Sequence, residues 1–324
     1  MWVLVFVLTL LTSTASAQQA EGLSFLGPYQ ALSGVRASYR GSYGLRSRTN
    51  PSSPALGTLN HDGSLFGTIW SAEDREVSGV ASIGVHDFVE KDLRATRRDF
   101  PQPLWNVSGG PAFRRKLSGD RMYGANLSVG SASDKPFNSL SEMAYSTNLF
   151  YRMPLESESK SAFVFILNYS NNRSFLSGWP LPGAAYWWEP NERFRAVVGV
   201  PFLSVNSKLT DQMSLSAAYF APWVVNSQLN YKIFGPFQTY TGFSWNNQRY
   251  LLSGRTNDDE RLFYEEKRVP FGVRGPISRS MMLDFSGTYS FDRLYFKGEK
   301  FRDRNDSVHV ANGWIFSTQM STMF

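Results

Sequence analysis

Residues 281–292 read MMLDFSGTYSFD, a stretch in which apolar and polar side chains alternate. The apolar ones stand at odd positions and the polar ones at even positions: Met281, Leu283, Phe285, Tyr289 and Phe291 against Asp284, Ser286, Thr288, Ser290 and Asp292. Successive side chains of a β-strand point to opposite faces. This stretch therefore predicts a strand with one apolar face and one polar face.

The same alternation recurs along the chain, whereas helical periodicity is hard to find after residue 20. It runs through residues 223–234, resumes after a two-residue break at 237–246, and is seen again at 34–45 and 143–154. Period-2 patterns of this kind indicate half-buried strands. The chain is therefore predicted to be all-β.

The connectors between candidate strands indicate how the strands are arranged. Fourteen candidates can be drawn: 34–45, 65–71, 77–88, 104–116, 121–130, 143–154, 161–170, 193–204, 213–221, 223–234, 237–251, 261–273, 280–296 and 308–324. Short connectors fall at one end and mostly long ones at the other, as in barrels with short periplasmic turns and long extracellular loops. The expected fold is a closed antiparallel transmembrane β-barrel of about 14 strands. Twelve is the alternative count, because 65–71 is the weakest segment.

The composition fits a barrel in lipid. The 324 residues include 25 Phe, 15 Tyr and 9 Trp, yet the mean hydropathy is only −0.29. A polar lumen averaged with an apolar lipid face gives such a value, and aromatic side chains gather at the two membrane interfaces. A soluble β-sandwich is the alternative, but it predicts strands of about 5–6 residues, shorter than many of the alternating runs.

The N-terminus resembles a secretory signal. Residues 1–17 carry an apolar run and end in Ala15-Ser16-Ala17, an A-x-A site. We expect residues 1–17 to be a signal peptide cleaved near Ala17, residues 18–33 a periplasmic segment, and residues 34–324 the barrel. The expected location is the outer membrane of a Gram-negative bacterium.

The C-terminal stretch resembles the terminal-strand signal of bacterial outer-membrane β-barrel proteins. Its aromatic residues alternate with polar ones, and the last residue is Phe: Trp314, Phe316 and Phe324. The resemblance implies recognition by the barrel-assembly machinery. Further stretches are similar to an uncharacterised family of outer-membrane barrels of unknown function, which implies a fold but no activity: 180–183, 186–188, 199–202, 271–277 and 289–296.

No catalytic or cofactor motif is found. There is no G-x-S-x-G elbow, H-E-x-x-H helix, Walker loop or G-x-G-x-x-G turn, and the chain has no Cys and three His. A lipid-modifying enzyme would need His86 or His309 beside a serine and an acid. We therefore predict no enzyme, no cofactor and no metal. The acidic runs 258–260 and 303–306 are interpreted as solvated loops, and a divalent-cation site, alone or bridging to lipopolysaccharide phosphate, is the alternative. The net charge of +6 comes without a basic helix, which argues against nucleic acid as a partner.

Two sets of residues are candidates for contact with a solute. The first set falls on the polar faces of predicted strands and is expected to line the lumen: Arg36, Arg40, Arg152, Arg195, Asn226, Gln228, Asn230, Lys232, Asp284 and Asp292. The second set lies in the predicted loop 171–192 and is expected to fold into the mouth or cap it: Trp179, Tyr186, Trp187 and Trp188. Lumen charges either bias which solutes enter or pair across a packed interior.

The function predicted from the sequence is a channel or binding pore for a small solute. The alternatives are a plugged structural or surface-interaction barrel and, behind it, a lipid-modifying enzyme. The expected partners are outer-membrane lipid, including lipopolysaccharide, the barrel-assembly machinery and a small solute.

Overall fold

The computed structural model describes residues 26–29, 34–48, 55–89, 103–155, 160–173, 176–222, 224–255 and 257–324. Within them lie seventeen strands: β1 Val35–Arg48, β2 Ala55–Ser71, β3 Arg75–Phe88, β4 Leu104–Lys116, β5 Met122–Ser133, β6 Met143–Pro154, β7 Ala162–Ser170, β8 Leu181–Asn191, β9 Phe194–Val200, β10 Phe202–Lys208, β11 Met213–Phe220, β12 Val224–Phe234, β13 Phe237–Tyr250, β14 Arg261–Pro276, β15 Met281–Gly298, β16 Asn305–Val310 and β17 Gly313–Met323. Two single 3₁₀ turns cover Ser118–Asp120 and Leu140–Glu142. No helix in these residues is long and apolar enough to cross a bilayer.

The strands close into one antiparallel ring. From β1 to β15 each strand pairs with the next, and β17 pairs with both β15 and β1. The short strand β16 pairs only with the far end of β15, so β16 and β17 together occupy one position. The ring therefore has sixteen positions, and backbone hydrogen bonds between Val35 and Phe324 (3.1 and 2.9 Å) complete it.

The predicted fold class is confirmed, but the count of about 14 strands is wrong. Strand β8 lies inside the predicted loop 171–192, and the predicted strand 193–204 is divided by Pro201 into β9 and the start of β10. The weak segment 65–71 is the end of β2, one of the longest strands at 17 residues. Prolines and glycines usually mark turns, but here they lie within β8 and at the β9–β10 corner. The sequence pattern therefore predicted two strands too few.

The register gives the wall two faces. Apolar side chains at alternate positions are exposed on the outside, among them Tyr39, Leu65, Leu127, Phe165 and Phe285. Their neighbours point inward and are mostly Ser, Asn, Gln or charged. An apolar outer face around a polar interior is the arrangement of membrane-spanning barrels.

The wall is uneven in height. At the turn end, where residues 72–74, 192–193, 209–212 and 235–236 connect strands, the connectors are short. The opposite end is called the loop end. Strands β9, β10 and β11 have only 7, 7 and 8 residues, whereas β14 and β15 have 16 and 18. The shortfall is at the loop end, because β9 and β10 meet there at Pro201 and β11 ends there at Phe220.

Two clusters of buried apolar side chains lie inside the barrel. The turn-end cluster is built on β4–β10 and includes a residue that precedes the barrel: Leu26, Ala112, Met122, Phe150, Ala162, Val164, Ala185, Trp187, Val197 and Phe202. The loop-end cluster joins β3–β5 to β13–β16: Phe88, Leu104, Ala132, Tyr250, Leu252, Leu262, Tyr264, Tyr295 and Val310. Each cluster occupies one side of the interior.

Candidate functional site in the barrel interior

The lumen wall between the clusters is lined by small polar side chains. Serine hydroxyls pair across neighbouring strands, as in Ser38 with Ser64 and Ser82 with Ser108, both at 2.8 Å. On β5–β7, three amides form a row in which Asn148 donates to Asn126 (2.8 Å) and Asn168 donates to Asn148 (2.6 Å). The strand register places these residues side by side, and their hydrogen-bonding groups line the interior with donors and acceptors.

A charged network occupies the wall formed by β1, β2, β14 and β15. Arg40 donates to Gln319 (2.9 Å), and Asp62 lies within electrostatic range of Arg40 and Arg268. Glu266 binds Arg268 and accepts a hydrogen bond from Ser290 (2.8 Å). A cavity of about 30 Å³ remains between this network and His86 and Tyr250. Side chains therefore nearly fill this part of the lumen.

A second polar network lies nearer the turn end. Asn230 accepts hydrogen bonds from Gln228 (2.6 Å) and Arg274 (2.7 Å), and Tyr240 donates to Asp284 (2.8 Å). The side-chain oxygens of Asn206 and Asn226, on β10 and β12, are buried without a hydrogen-bond partner. Buried acceptors of this kind are usually satisfied by water or by a ligand.

The predicted lumen residues lie on the inner face, with one exception. Inner positions are held by Arg36, Arg40, Arg152, Arg195, Asn226, Gln228, Asn230, Lys232 and Asp284. Asp292 was expected among them, but it is exposed and binds Lys267 (2.7 Å) on the outer face. The reason is a β-bulge in β15 opposite residues 265–267, which reverses the alternation beyond Phe291.

The predicted position of the aromatic residues in a loop is wrong for three of the four, because this part of the chain forms a strand. Tyr186, Trp187 and Trp188 lie on β8, so they belong to the wall and not to a loop. Trp187 points inward and is 2% exposed, whereas Trp188 on the opposite face is 44% exposed. Trp179 alone lies in the β7–β8 loop, where it is exposed. Of these four residues, Trp187 is therefore the one that is buried on the inner face.

Trp187 is held among charges near the turn end. The guanidinium groups of Arg195 and Arg152 lie 5.0 and 5.9 Å from its ring. Its indole nitrogen donates to Glu189 (3.2 Å), which also accepts from Arg195 (2.8 Å). These cation–π contacts and hydrogen bonds fix the ring across this side of the lumen.

The segment 26–29 enters the barrel beside this group. Leu26 packs into the turn-end cluster, and Tyr29 donates to the carbonyl of Ala72 (3.2 Å) in the β2–β3 turn. The Tyr29 ring lies 5.5 Å from the guanidinium of Arg114, which is paired with Glu76. Desolvation raises the pKa of Tyr29, with a further contribution from the charge of Glu76. The segment fills part of the turn end.

At the loop end, opposite walls are tied together. The amide of Leu251, just after β13, donates to the carbonyl of Ala132 in β5 (2.6 Å). Strands β5 and β13 stand opposite each other in the sixteen-position ring, so this bond crosses the mouth. Ser253 donates to Asp134 through its amide (2.7 Å) and its hydroxyl (2.9 Å), next to the same crossing. The mouth is thereby divided into two halves.

Asp134 is an anionic acceptor at this crossing. Burial raises the pKa of its carboxyl group, but hydrogen bonds from Ser253 and Ser133 outweigh burial, so that the pKa lies below the ordinary 3.8. The charged form therefore ties the two walls.

The half of the mouth bounded by β14–β4 is filled by the loop-end cluster. His86 hydrogen-bonds to Asn60 and to the hydroxyl of Tyr295 (2.6 Å), and its ring stacks on Tyr264. Neither ring nitrogen of His86 is bonded to a serine. His309 is an exposed residue of β16. The other half of the mouth, bounded by β6–β12, lies beside the low part of the wall.

Basic side chains outnumber acidic ones on the inner face. In the described strands the basic residues there include Arg36, Arg40, Arg114, Arg152, Arg195, Lys208, Lys232, Arg268, Arg274 and Arg293. The acidic ones are Asp62, Glu76, Glu189, Glu266 and Asp284. Nowhere in the described part of the chain do three His, Cys, Asp or Glu side chains gather as metal ligands would.

The C-terminal aromatic residues belong to the outer surface. Trp314 and Phe316 are exposed on the outer face of β17, and Phe324 is 77% exposed where β17 meets β1. The apolar belt thus continues across the strand that closes the ring. The chain is a closed β-barrel with an apolar outer face around a polar interior, which is the arrangement of membrane-spanning barrels.

Solved outer-membrane channels are similar to this barrel at low identity. The barrel is similar to an outer-membrane channel from Pseudomonas putida F1 (9% identity, TM-score 0.37, covering 92% of this chain and 97% of that one). It is also similar to a mutant Rhodopseudomonas blastica porin (11%, 0.40, 90% and 99%) and to the Pseudomonas putida toluene transporter TodX (8%, 0.36, 90% and 90%). No protein-family profile and no curated protein match the barrel. Identities and TM-scores this low do not transfer a function.

Sequence reasoning missed three parts of this site. The turn-end residues Leu26 and Tyr29 carry no alternation, because they precede the first strand. The crossing between Leu251 and Ala132 joins residues far apart in the sequence. Trp187 points inward because of its position in β8. The alternation along that strand would have predicted this direction if the strand had been recognised in the sequence.

Proposed function

We propose that the barrel is an outer-membrane channel that admits small anionic solutes at the half of its loop-end mouth bounded by β6–β12. The observation that carries the proposal is a closed ring of sixteen positions with a polar inner face on which basic groups predominate. Barrels of this size are too wide for wall side chains alone to fill, and rings of 16 strands commonly hold an aqueous path.

The charge on the lumen face supports the choice of anions. Glu76, Glu189 and Glu266 are each paired with an arginine, which leaves only Asp62 and Asp284 of the inner acidic groups named above to offset the remaining basic groups. Arg36 and Lys232 lie half-buried near the turn end. A pore lined by an excess of one charge admits ions of the opposite sign more readily.

Conductance in planar bilayers tests the proposal. With refolded protein and a tenfold gradient of potassium chloride, we expect discrete steps and a reversal potential of the sign given by chloride permeation. Arg36→Glu together with Lys232→Glu should move the reversal potential towards cation preference. A cation-selective wild-type pore would contradict the anion assignment.

A plugged barrel is the second candidate, and the two interior clusters favour it. Leu26 and Tyr29 close part of the turn end, and the loop-end cluster closes the opposite side of the mouth. A plugged barrel predicts silent bilayers for the wild type and for a variant lacking residues 18–29. Conductance that appears or increases on this deletion would instead indicate a channel with a removable obstruction.

The outer surface of the barrel is the basis for proposing its location and its partners. The apolar outer face supports a location in the outer membrane; with the loop end outward, exposed basic residues such as Arg302 would meet lipopolysaccharide. The outward aromatic residues of β17 are proposed as the signal for the barrel-assembly machinery. Replacing Phe324 with Ser, compared with Met320→Ser on the same strand, tests this by the amount of folded protein in outer-membrane fractions.

A further inference from the structure

Three arginines lie together where the β7–β8 loop crosses to the start of β14. Arg261, the first residue of β14, donates to the carbonyl of Asn171 (3.1 Å) and to the hydroxyl of Ser177 (3.4 Å) in that loop. Arg173 belongs to the same loop. Arg249, near the end of β13, is close enough to both guanidinium groups to be repelled by them. Strands β7 and β14 lie far apart around the ring, so only the tertiary fold brings these residues together.

The hydrogen bonds of Arg173 and Arg261 are made to neutral acceptors. Arg173 donates to the side chain of Asn168 (2.5 Å) and to the carbonyls of Leu176 (2.9 Å) and Trp179. Arg261 donates to the carbonyls of Asn171 and Asp259 and to Ser177. All of these acceptors are neutral. They hold the two guanidinium groups in place without a carboxylate contact.

Arg249 carries the least compensated charge of the three. Asp259 and Glu299 act on Arg261, and Tyr169 acts on Arg173. The described groups whose charges act on Arg249 are the two arginines. Like charges held this close destabilise the folded state unless an anion lies between them.

Unused donors mark the same place. Arg261 is only 6% exposed, and its Nε is buried without a partner, as is the Nε of Arg173. Burial also lowers the pKa of Arg173, which reports the cost of keeping that charge away from water. Buried donors without acceptors are uncommon and point to an absent ligand or ordered water.

We propose that Arg173, Arg249 and Arg261 form a site for a phosphate group at the loop-end mouth. A phosphate group offers several acceptor oxygens and up to two negative charges, and guanidinium groups bind it through paired hydrogen bonds. The ligand is a soluble phosphate compound or the phosphate of a lipid headgroup in the outer leaflet. The site goes beyond the proposed channel function, because binding here does not require conduction.

Binding of inorganic phosphate to the refolded barrel in neutral detergent tests the site. Heat-induced unfolding, followed by gel mobility, should shift to higher temperature with phosphate but not with chloride at equal ionic strength. Isothermal titration should show Arg249→Gln binding phosphate about tenfold or more weakly. The matched control is Arg302→Gln, which removes an exposed charge at the same end and should bind like the wild type.

The behaviour of Arg249→Gln without phosphate separates binding from a structural role. Removing one of three repelling charges should leave the unfolding temperature unchanged or raise it. If the variant is less stable without phosphate and still gains as much from phosphate as the wild type, the proposal is wrong.

Vesicles distinguish the two sources of the phosphate. The barrel is reconstituted in phosphatidylcholine with or without phosphatidic acid, and inorganic phosphate is then added. If phosphatidic acid alone stabilises the wild type and abolishes the effect of soluble phosphate, the headgroup is the ligand. If only soluble phosphate stabilises it, the ligand is a solute. If neither acts on the wild type, there is no phosphate site, whether or not the barrel conducts.

Discussion

Glu76 and Arg114 face each other inside the turn end of the barrel, almost without contact with solvent. Two nitrogens of Arg114 bind the same carboxylate oxygen at 2.7 and 2.9 Å, and the side chains are 0% and 2% exposed. Above them Tyr29 lies over the guanidinium. A charge buried this deeply depends on its partner, since water cannot replace it.

Breaking this pair should be costly. Glu76→Gln leaves Arg114 buried beside a neutral amide, and we expect a loss of about 3–5 kcal/mol in the free energy of unfolding. The exposed pair Lys116–Asp120 (2.8 Å) provides the control, because Asp120→Asn should cost under about 0.5 kcal/mol. Urea unfolding in lipid vesicles, followed by tryptophan fluorescence, measures both. Equal losses in the two variants would contradict the buried-pair argument.

Asp134 makes the loop-end crossing sensitive to acid. Its pKa is lower in the folded barrel than the ordinary 3.8, so its contribution to stability is complete above the unfolded pKa and is lost as pH falls through the folded one. We expect pepsin to cut the β13–β14 loop near Leu251 at about pH 2.5 but not at about pH 4.5. In Asp134→Asn the loop should be cut at both. Protection of the variant at the higher pH would show that the carboxylate does not tie the walls.

At the scale of the strand, alternation indicated the wall wherever no proline or glycine interrupted it. Strand β8 was missed because Pro182 and Gly183 usually mark a loop. The structure gives Gly183 another role: a Cβ there would come within 2.6 Å of the carbonyl oxygen of Val200, so the glycine permits close approach of two strands. The odd–even alternation also predicted that residues such as Gln228 point inward. It failed at Asp292, where a β-bulge adds one residue to the strand.

Contacts across the lumen were beyond what the sequence can indicate. The pairs His86–Tyr295 and Asp134–Ser253 are separated by 209 and 119 residues. The local sequence pattern carries no information on which inward residues contact each other. Those contacts depend on how closely the opposite walls of the ring approach. The fold class was therefore predictable, and the obstruction of the interior was not.

Two neighbouring residues of β8, one on each face of the wall, allow the inner and outer faces to be tested independently. Trp187→Ala removes the inward ring, and we expect larger conductance steps together with a loss of about 3–5 kcal/mol in stability. Trp188→Ala removes the outward ring from the same strand and should leave conductance unchanged. Single-channel recordings compare the two. If both variants conduct like the wild type, Trp187 does not obstruct the path.

The whole molecule combines a wide ring with an interior closed on opposite sides at its two ends. The turn-end cluster occupies β4–β10, and the loop-end cluster joins β3–β5 to β13–β16. A solute that crosses must therefore enter beside β6–β12 at the loop end. Before it reaches the turn end it must either pass Trp187 or move sideways towards β11–β17. The amide row on β5–β7 and the network around Asn230 lie along such an oblique route.

The low wall at β9–β11 also affects the bilayer around the barrel. A tilted strand needs about 9–11 residues to cross the hydrocarbon layer, and these three strands have 7 or 8. On the side of β14 and β15 the apolar belt is tall enough, so the hydrophobic mismatch is confined to one sector. Lipids beside that sector must compress or the barrel axis must lean towards it. Thinner bilayers reduce either cost, so the protein should insert most readily where acyl chains are short.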